Sequence, residues 1–243
     1  MEPDLDRWHK PNDLEAIDHN DPSLPGRWIV FEGGEGSGKS TQVAALAQQL
    51  RALDLLVVET REPGGTPLAE AIRDWICYPG TDAEPMDENA ELFLLLAARA
   101  QHVAQVILPA LRQGKWVLCD RFDASTLAYQ GFGRGMPLVQ IDKLNEWVTM
   151  GHCPDLYFLL DIDPKVGLNR ASCRDTYSDR SDRFSKEQKA FHERVRQGFL
   201  YVAAQHPSVW HRIDATLPVD QISEEIWAYL SHHYGGIGNG GTT

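Results

Sequence analysis

Residues Gly33 to Ser40 (GGEGSGKS) have the types and the spacing needed to bind a nucleotide phosphate chain. They match Gly-x-x-x-x-Gly-Lys-[Ser/Thr] and lie between an apolar run ending at Phe31 and a helix-like run from Thr41. Glycines let backbone N–H groups converge on phosphate oxygens, where side chains would obstruct them. Lys39 of such a loop reaches the β- and γ-phosphates, and the Ser40 hydroxyl holds Mg²⁺. The motif predicts nucleotide binding.

A second acid fits the same site. Asp120 ends the apolar run Leu118-Cys119-Asp120, and a strand end beside a phosphate loop is the usual place for an acid that contacts Mg²⁺ through water. Many strands end in aspartate, so the interpretation depends on the neighbouring loop. We expect Ser40 and Asp120 to share a Mg²⁺ ion.

GTPases, motor ATPases and small-molecule kinases all use a phosphate loop, and the basic residues elsewhere in the chain help to distinguish these classes. A kinase with a phosphorylated acceptor must hold two anionic groups in line and exclude water with a lid. The candidate cations of the central region are Arg61, Arg73, Arg99, Arg121 and Arg134. Arg99 interrupts an apolar helix-like run, where an unpaired charge would be costly. The alternative is that Arg99 is partly exposed and covers apolar surface with its stem.

Residues 165–196 contain the candidate lid. They carry nine basic and five acidic residues, in a chain whose net charge is −12. Arg170 and Arg174, four residues apart on a predicted helix, share one face. We predict a helical, phosphate-facing lid at about residues 170–186; the alternative is a solvated helical hairpin.

The elements that must position these residues alternate along the chain. Strands are predicted at Trp28–Phe31, Leu55–Glu59, Trp116–Asp120, Leu156–Asp161 and Val209–Ile213, and stretches of helical period lie between them. Strands separated by helices predict a parallel sheet covered on both faces. We predict an α/β, P-loop NTPase fold: a doubly wound, five-stranded parallel sheet flanked by helices, with ligands at the carboxyl ends of the strands.

Composition bounds the folded unit and its partners. Residues 1–26 carry seven acids against two bases, a composition that predicts a flexible extension. The glycine-rich residues 235–243 are predicted to form a flexible tail. The kinase domain is therefore predicted to span residues 27–234. The acidic net charge argues against a general nucleic-acid-binding face. No apolar run approaches the ~18 residues of a membrane span. Four separated cysteines are typical of a cytoplasmic protein with reduced thiols.

Four segments together resemble the bacterial thymidylate kinase family. They are Phe31–Thr41, Arg61–Thr66 (REPGGT), Ala97–His102 (AARAQH), and Asp120–Gly135 with its Asp-Arg-Phe, Tyr-Gln-Gly and Gly-Arg-Gly triplets. The similarity extends from about Trp28 to about Leu230. The resemblance implies Mg²⁺-dependent transfer of the ATP γ-phosphoryl group to dTMP, giving dTDP for dTTP synthesis, by a homodimer.

The resemblance also implies residue roles. Glu35 would contact the sugar 3′-hydroxyl, Arg73 and Arg121 would hold the substrate phosphate, Arg99, Thr126 and Gln130 would face thymine, and Glu62 would lie near the substrate and metal. The ATP-binding residues would be Gly33, Gly34, Glu35, Gly36, Ser37, Gly38, Lys39, Ser40 and Thr41. Because the loop has no arginine, the resemblance points to the subtype whose lid supplies the cation, here Arg174 and Arg170. A guanidinium there would neutralise charge on the transferred group, with Lys39, Glu35 and Arg121 as the other catalytic residues.

Two positions depart from the family pattern. Leu95 stands where the family often stacks an aromatic ring on thymine, and Ser185 follows Asp182-Arg183-Phe184 where the family often has an acid. Together with the acidic N-terminal extension, they motivate one alternative, a nucleotide-binding regulatory protein without transfer activity. A kinase for another nucleoside monophosphate is a second alternative.

Overall fold

A computed structural model describes residues 26–79, 84–175, 183–235 and 237. Its strands are β1 (Trp28–Glu32), β2 (Val57–Arg61), β3 (Trp116–Asp120), β4 (Leu156–Asp161) and β5 (Trp210–Asp214). They form a parallel sheet in the order β2-β3-β1-β4-β5. The predicted doubly wound parallel sheet is confirmed, with β2 starting two residues later than its pattern suggested.

Helices connect the strands. They are α1 (Lys39–Arg51), α2 (Pro67–Cys77), α3 (Glu88–His102), α4 (Leu108–Arg112), α5 (Asp123–Thr126), α6 (Leu138–Val148), α7 (Pro164–Asp175), α8 (Lys189–Gln205) and α9 (Val219–His233). A π-helical turn, Val103–Ile107, joins α3 to α4, and a second, Leu127–Gly133, follows α5. The predicted lid overlaps α7 and a 3₁₀ turn, Phe184–Lys186. Its residues 176–182 lie outside the described residues, as do residues 1–25 of the predicted extension and most of the predicted tail.

The sheet is covered on both faces because the side chains of its central strand alternate. Trp28 and Val30 join the core cluster that includes α2 and α3, whereas Ile29 and Phe31 join the cluster under α1 and α9. All four side chains are fully buried. Burial on both faces anchors β1, and therefore anchors the loop that follows it.

The helices differ in whether a side chain caps their first turn. The Thr66 side chain caps α2 by accepting from Ala69 N, and Asp87 caps α3 by accepting from Asn89 N. By contrast, α1 starts after Gly38, whose φ is 94°, and has no side-chain cap. The N–H groups of its first turn therefore stay available to an anion.

By length and composition, the continuous helical segment Glu88–Arg112 is apolar enough to cross a membrane. Its inner side, which includes Leu92 and Leu96, is buried in the core, and Glu91 and Arg99 are buried among protein partners. A core helix meets the same description. Its outer side carries the exposed Phe93.

Candidate functional site

A cavity of about 290 Å³ opens at the carboxyl ends of β1, β2 and β3, close to the size of a small-molecule site. Strand register brings its parts together, since Asp120 lies beside Phe31 on one side and beside Arg61 on the other. The lining includes most of the predicted site: Glu35, Gly36, Gly38, Lys39, Ser40, Glu62, Arg73, Leu95, Arg99, Asp120, Arg121, Thr126 and Gln130. The expected convergence at the end of the sheet is therefore observed.

Lys39 lies folded into the phosphate loop. Its Nζ donates to the carbonyl oxygens of Gly33 at 3.0 Å and Gly34 at 2.8 Å, and to Ser37 Oγ at 3.2 Å. Burial and the nearby Arg121 charge lower the pKa of Lys39 to about 8. A bound polyphosphate would compete with these carbonyl groups for the ammonium and favour its charged form.

Arg121 links the phosphate loop to the segment after β3. Its Nη2 donates to Glu35 Oε1 at 2.8 Å, its Nη1 donates to Gly33 O at 3.1 Å, and the guanidinium lies over the Tyr129 ring. The backbone of Arg121 has a φ of 69°, an uncommon conformation for a side-chain-bearing residue that often occurs at functional sites. Tyr129 donates its hydroxyl to the same Glu35 oxygen at 2.8 Å.

Glu35 is held as a carboxylate. Burial alone would raise its pKa, but the Arg121 and Lys39 charges and the Tyr129 hydroxyl outweigh burial and lower the pKa to about 2. Glu35 therefore stays ionised throughout the neutral range.

Ser40 and Asp120 form an oxygen-donor pair. Ser40 Oγ donates to Asp120 Oδ2 at 2.6 Å, and both residues line the cavity. A hydroxyl and a carboxylate are the donors that Mg²⁺ takes, through a small number of protein contacts with water completing the shell. The pair fits the predicted Mg²⁺ site.

Arg99 is buried and almost fully satisfied by protein acceptors. Its Nε donates to Glu62 Oε2 at 2.7 Å, its Nη1 donates to Thr126 Oγ1 at 2.9 Å and Asn145 Oδ1 at 2.6 Å, and its Nη2 donates to Phe122 O at 3.0 Å. A guanidinium has five N–H groups, so within the described residues these contacts leave one on Nη2 without an acceptor. Since Arg99 lines the cavity, that group is a donor for a ligand.

Gln130 offers the cavity a hydrogen-bond acceptor, whereas Arg99 offers a donor. Its Nε2 donates to the buried Glu91 carboxylate at 2.7 Å, and Gln130 lines the cavity. Glu91 also accepts from Arg183 Nη2 and, at 3.3 Å, from Arg134 Nη2. Within the described part of the chain, the hydrogen bond to Glu91 is the one that the Gln130 side chain makes, so its Oε1 is an acceptor for a ligand.

Glu32 supports the turn that follows β3. Its Oε1 accepts from Phe122 N at 2.8 Å and Ser125 N at 3.1 Å, and its Oε2 accepts from Ser125 Oγ at 2.7 Å. Complete burial nevertheless dominates and raises the pKa of Glu32 to about 7. This carboxyl joins the start of the phosphate loop to the Arg121 segment.

The remaining predicted residues lie in different places. Arg73 lines the cavity and donates to Pro63 O at 3.1 Å, whereas Arg170 donates to Ala215 O at 2.8 Å and does not line the cavity. Arg174 is within α7, but its side chain lies outside the described part. Gly33 and Gly34 border a separate small cleft. Ser37 is buried and Thr41 is exposed on the first turn of α1.

Sequence reasoning missed Glu32, Glu91 and Asn145 as parts of the site. A signal was present for the first two, because Glu32 ends the apolar run Trp28–Phe31 and Glu91 directly precedes the apolar run Leu92–Leu96. Burying an unpaired charge is costly for Glu32 and Glu91, just as it is for Arg99. No comparable pattern singles out Asn145 on α6.

Comparisons with known proteins agree with this geometry. The sequence model of the family described as Thymidylate kinase matches residues 31–226. The thymidylate kinase of Magnetococcus marinus is 49% identical over 204 residues, which cover 84% of this chain and 95% of that protein. That of Chromohalobacter salexigens is 47% identical over 207 residues, covering 85% and 96%. A crystal structure of thymidylate kinase from Ehrlichia chaffeensis matches with a TM-score of 0.67 and 35% identity, over 84% of this chain and 98% of that one.

Proposed function

The chain belongs to the thymidylate kinase family and transfers the γ-phosphoryl group of ATP to dTMP, giving dTDP, and from that premise we propose how its residues divide the work. The phosphate loop and α1 bind ATP. The cavity between α3 and the segment after β3 binds dTMP. The observation that carries this division is one cavity lined by both the loop and the Arg99, Arg121 and Gln130 side chains.

On the donor side, residues 33–41 would cradle the ATP phosphates with backbone N–H groups and the uncapped start of α1. Lys39 would leave its loop carbonyl groups to contact the β- and γ-phosphates. Ser40 and Asp120 would hold Mg²⁺, which when bound neutralises charge on the phosphate oxygens.

On the acceptor side, the base edge is read by one donor and one acceptor. The Arg99 Nη2 N–H that has no acceptor among the described residues would match the O4 carbonyl of thymine, and the Oε1 of Gln130 would match its N3–H. Cytosine presents the reverse pattern, an amino donor and a ring-nitrogen acceptor. Thr126 and the apolar Leu95 complete the base contact.

The acceptor phosphate would be held by Arg73 and Arg121, with Glu35 on the sugar 3′-hydroxyl. An oxygen of the dTMP phosphate attacks the γ-phosphorus as the bond from that phosphorus to the β–γ bridging oxygen breaks, and ADP leaves. The positive charges of Arg121 and Lys39 both act on Glu35, since both lower its pKa. Catalysis then depends on alignment and charge stabilisation. Arg174 would add a cation from the lid. Arg170 would add a second cation after breaking its hydrogen bond to Ala215 O.

We propose a homodimer, supported by an exposed apolar surface on α2, α3 and α6. Trp75 is 72% exposed, Phe93 is 59% exposed and Trp147 is 80% exposed, and these residues lie on three helices that pack side by side. The exposed face of α3 continues through Ala97 and Ala104. Large exposed aromatic side chains on adjoining helices are typical of an interface, and a second copy can present the same surface.

A substrate panel tests the proposal. ADP release is measured with dTMP, dUMP, dCMP, AMP and GMP as acceptors, and dTMP should be strongly preferred. Equal activity with all five acceptors would contradict the assigned base reading. Lys39→Ala should abolish turnover with every acceptor while circular dichroism stays unchanged, and substantial remaining turnover would contradict the role of Lys39.

A further inference from the structure

The Glu91 side chain lies between Gln130, the proposed base-contacting residue, and two arginines, Arg134 and Arg183. It is 1% exposed and lies on α3, 39 residues before Gln130 in the sequence. Its Oε1 accepts from Gln130 Nε2 at 2.7 Å, while its Oε2 accepts from Arg183 Nη2 and, at 3.3 Å, from Arg134 Nη2. Arg134 Nε also lies 3.5 Å from Oε1, so Arg134 reaches both carboxylate oxygens, while Gln130 bonds to Oε1 and Arg183 bonds to Oε2.

This contact determines which end of the Gln130 amide faces the ligand. A carboxylate only accepts hydrogen bonds, whereas an amide has a donating NH₂ end and an accepting oxygen end. The amide nitrogen of Gln130 must therefore point at Glu91. The amide oxygen is then the atom that can contact a ligand in the cavity.

We propose that Glu91 is a specificity-determining positioning residue, which makes the base site read an N3–H donor by fixing the orientation of the Gln130 amide. The inference rests on the proposed function, because it takes Gln130 to face the base of dTMP. It adds a residue that does not touch the substrate. The acidic side chain acts through Gln130, and the two arginines hold the carboxylate in place.

Replacing Glu91 by glutamine should reverse the orientation of the Gln130 amide. Two guanidinium groups, Arg183 Nη2 and Arg134 Nη2, donate to the Oε2 position, whereas at Oε1 the arginine contact is the long one from Arg134 Nε at 3.5 Å, so the single oxygen of the new amide would turn toward the Oε2 position. Its NH₂ group would then face Gln130. Gln130 would have to present its own oxygen to that group and its NH₂ to the cavity, where it would oppose the N3–H of thymine and suit the N3 of cytosine.

The experiment measures kcat and KM of the full chain with dTMP and with dCMP. For Glu91→Gln we expect the KM for dTMP to rise about tenfold or more, since a buried donor is left facing a donor. The kcat with dTMP should fall much less. The ratio of kcat/KM for dTMP over dCMP should fall about tenfold or more, because the Gln130 NH₂ group would then oppose the N3–H of thymine and suit the N3 of cytosine. The remaining N–H of Arg99 still disfavours cytosine, so the preference should weaken without reversing.

Glu187 provides a matched control. It pairs with Arg134 Nη1 at 2.6 Å, so Glu187→Gln makes the same chemical change beside the same arginine without contacting Gln130. This variant should keep the KM and the dTMP preference of the parent chain. If it loses the preference as Glu91→Gln does, the effect comes from Arg134 and the proposal is wrong.

A double-mutant cycle separates positioning from general support of the fold. Gln130→Ala should raise the KM for dTMP, and adding Glu91→Gln to it should raise the KM no further. Fully multiplicative effects, or an unchanged dTMP preference in Glu91→Gln, would overturn the proposal. If the parent chain itself does not prefer dTMP, the proposed function fails instead.

A measurement on the unmodified chain covers the case in which Glu91→Gln does not fold. The side-chain NH₂ resonances of Gln130 can be assigned by their loss in Gln130→Ala. They should be protected from exchange before dTMP is added and remain so afterwards, because they bond to Glu91 in both states. Protection that appears only with dTMP would mean that the amide nitrogen faces the base and would overturn the inference.

Discussion

Gly36 and Gly167 meet backbone to backbone. A Cβ added to Gly36, whose φ is 67°, would lie 2.0 Å from Gly167 O. A Cβ added to Gly167 would lie 2.2 Å from Glu35 O. This contact places α7, the start of the predicted lid, directly against the phosphate loop, and two absent side chains make it possible.

Gly167→Ala should therefore separate α7 from the loop. Alanine favours a helix, but overpacking of this kind costs about 1–3 kcal/mol, and misplacement of the loop by about 1 Å can lower kcat about a hundredfold. Urea unfolding and kcat with ATP and dTMP measure both effects. Ser172→Ala, at an exposed position of the same helix, serves as the control. A normal kcat in Gly167→Ala would show that the contact has no functional role.

The pKa of Lys39, lowered to about 8 by burial and Arg121, predicts a pH dependence. The ammonium binds phosphate and the neutral amine does not, so kcat/KM for ATP should fall as pH rises through about 8. The decline should approach tenfold per pH unit, because kcat/KM reports the free enzyme. The kcat should hold to higher pH, since bound phosphates favour the charged amine. A flat kcat/KM up to pH 9.5, in a chain shown to stay folded, would contradict this assignment.

Glu32 predicts a stability profile with the opposite sign to a paired carboxylate. Because burial raises its pKa from the ordinary glutamate value of 4.5 to about 7, the folded chain binds more protons than the unfolded chain between these values. The free energy of unfolding should therefore fall as pH rises from about 4.5 to 7, by roughly 1–3 kcal/mol. Glu32→Gln keeps acceptors for Phe122 N and Ser125 N and should lack this decline. Urea unfolding of both chains at several pH values is the measurement, and parallel profiles would refute the prediction.

Asp120→Asn tests the metal site. The amide keeps the size and one oxygen of Asp120 but loses its charge, so the Mg²⁺ concentration for half-maximal activity should rise about tenfold. Ser40→Thr keeps a hydroxyl and should change this concentration little, whereas Ser40→Ala should raise it. An unchanged Mg²⁺ requirement in both Asp120→Asn and Ser40→Ala would exclude the pair as the binding site.

The homodimer is tested by placing a charge on the α2–α3–α6 surface. Trp147→Glu should shift the chain to monomer, because a carboxylate in an apolar interface is desolvated without a partner. Leu56→Glu makes a similar change at another exposed apolar residue, 62% exposed and just before β2, and should leave the assembly unaltered. Light scattering over a range of concentrations distinguishes the two species. A parent chain that is monomeric at all concentrations would refute the proposal outright.

Local patterns in the sequence determined the phosphate loop, the apolar strand before it and the parallel character of the sheet. These features depend on residues adjacent in the chain or one helical turn apart, and their spacing is visible without coordinates. The start of α2 is an example, since Thr66 and Pro67 form a capping pattern that the structure uses directly. Predicted strand positions accordingly agreed within about two residues.

Only the tertiary structure decided which polar groups remain available to a ligand. Arg99 was predicted as a base-facing residue, but four of its five N–H groups bond to acceptors among the described residues. Arg170 shares the predicted lid, yet its guanidinium bonds to Ala215 O. Glu91 accepts a hydrogen bond from Gln130 Nε2, 39 residues away in the sequence. Such pairings depend on how helices pack against the sheet, and no local period in the sequence encodes them.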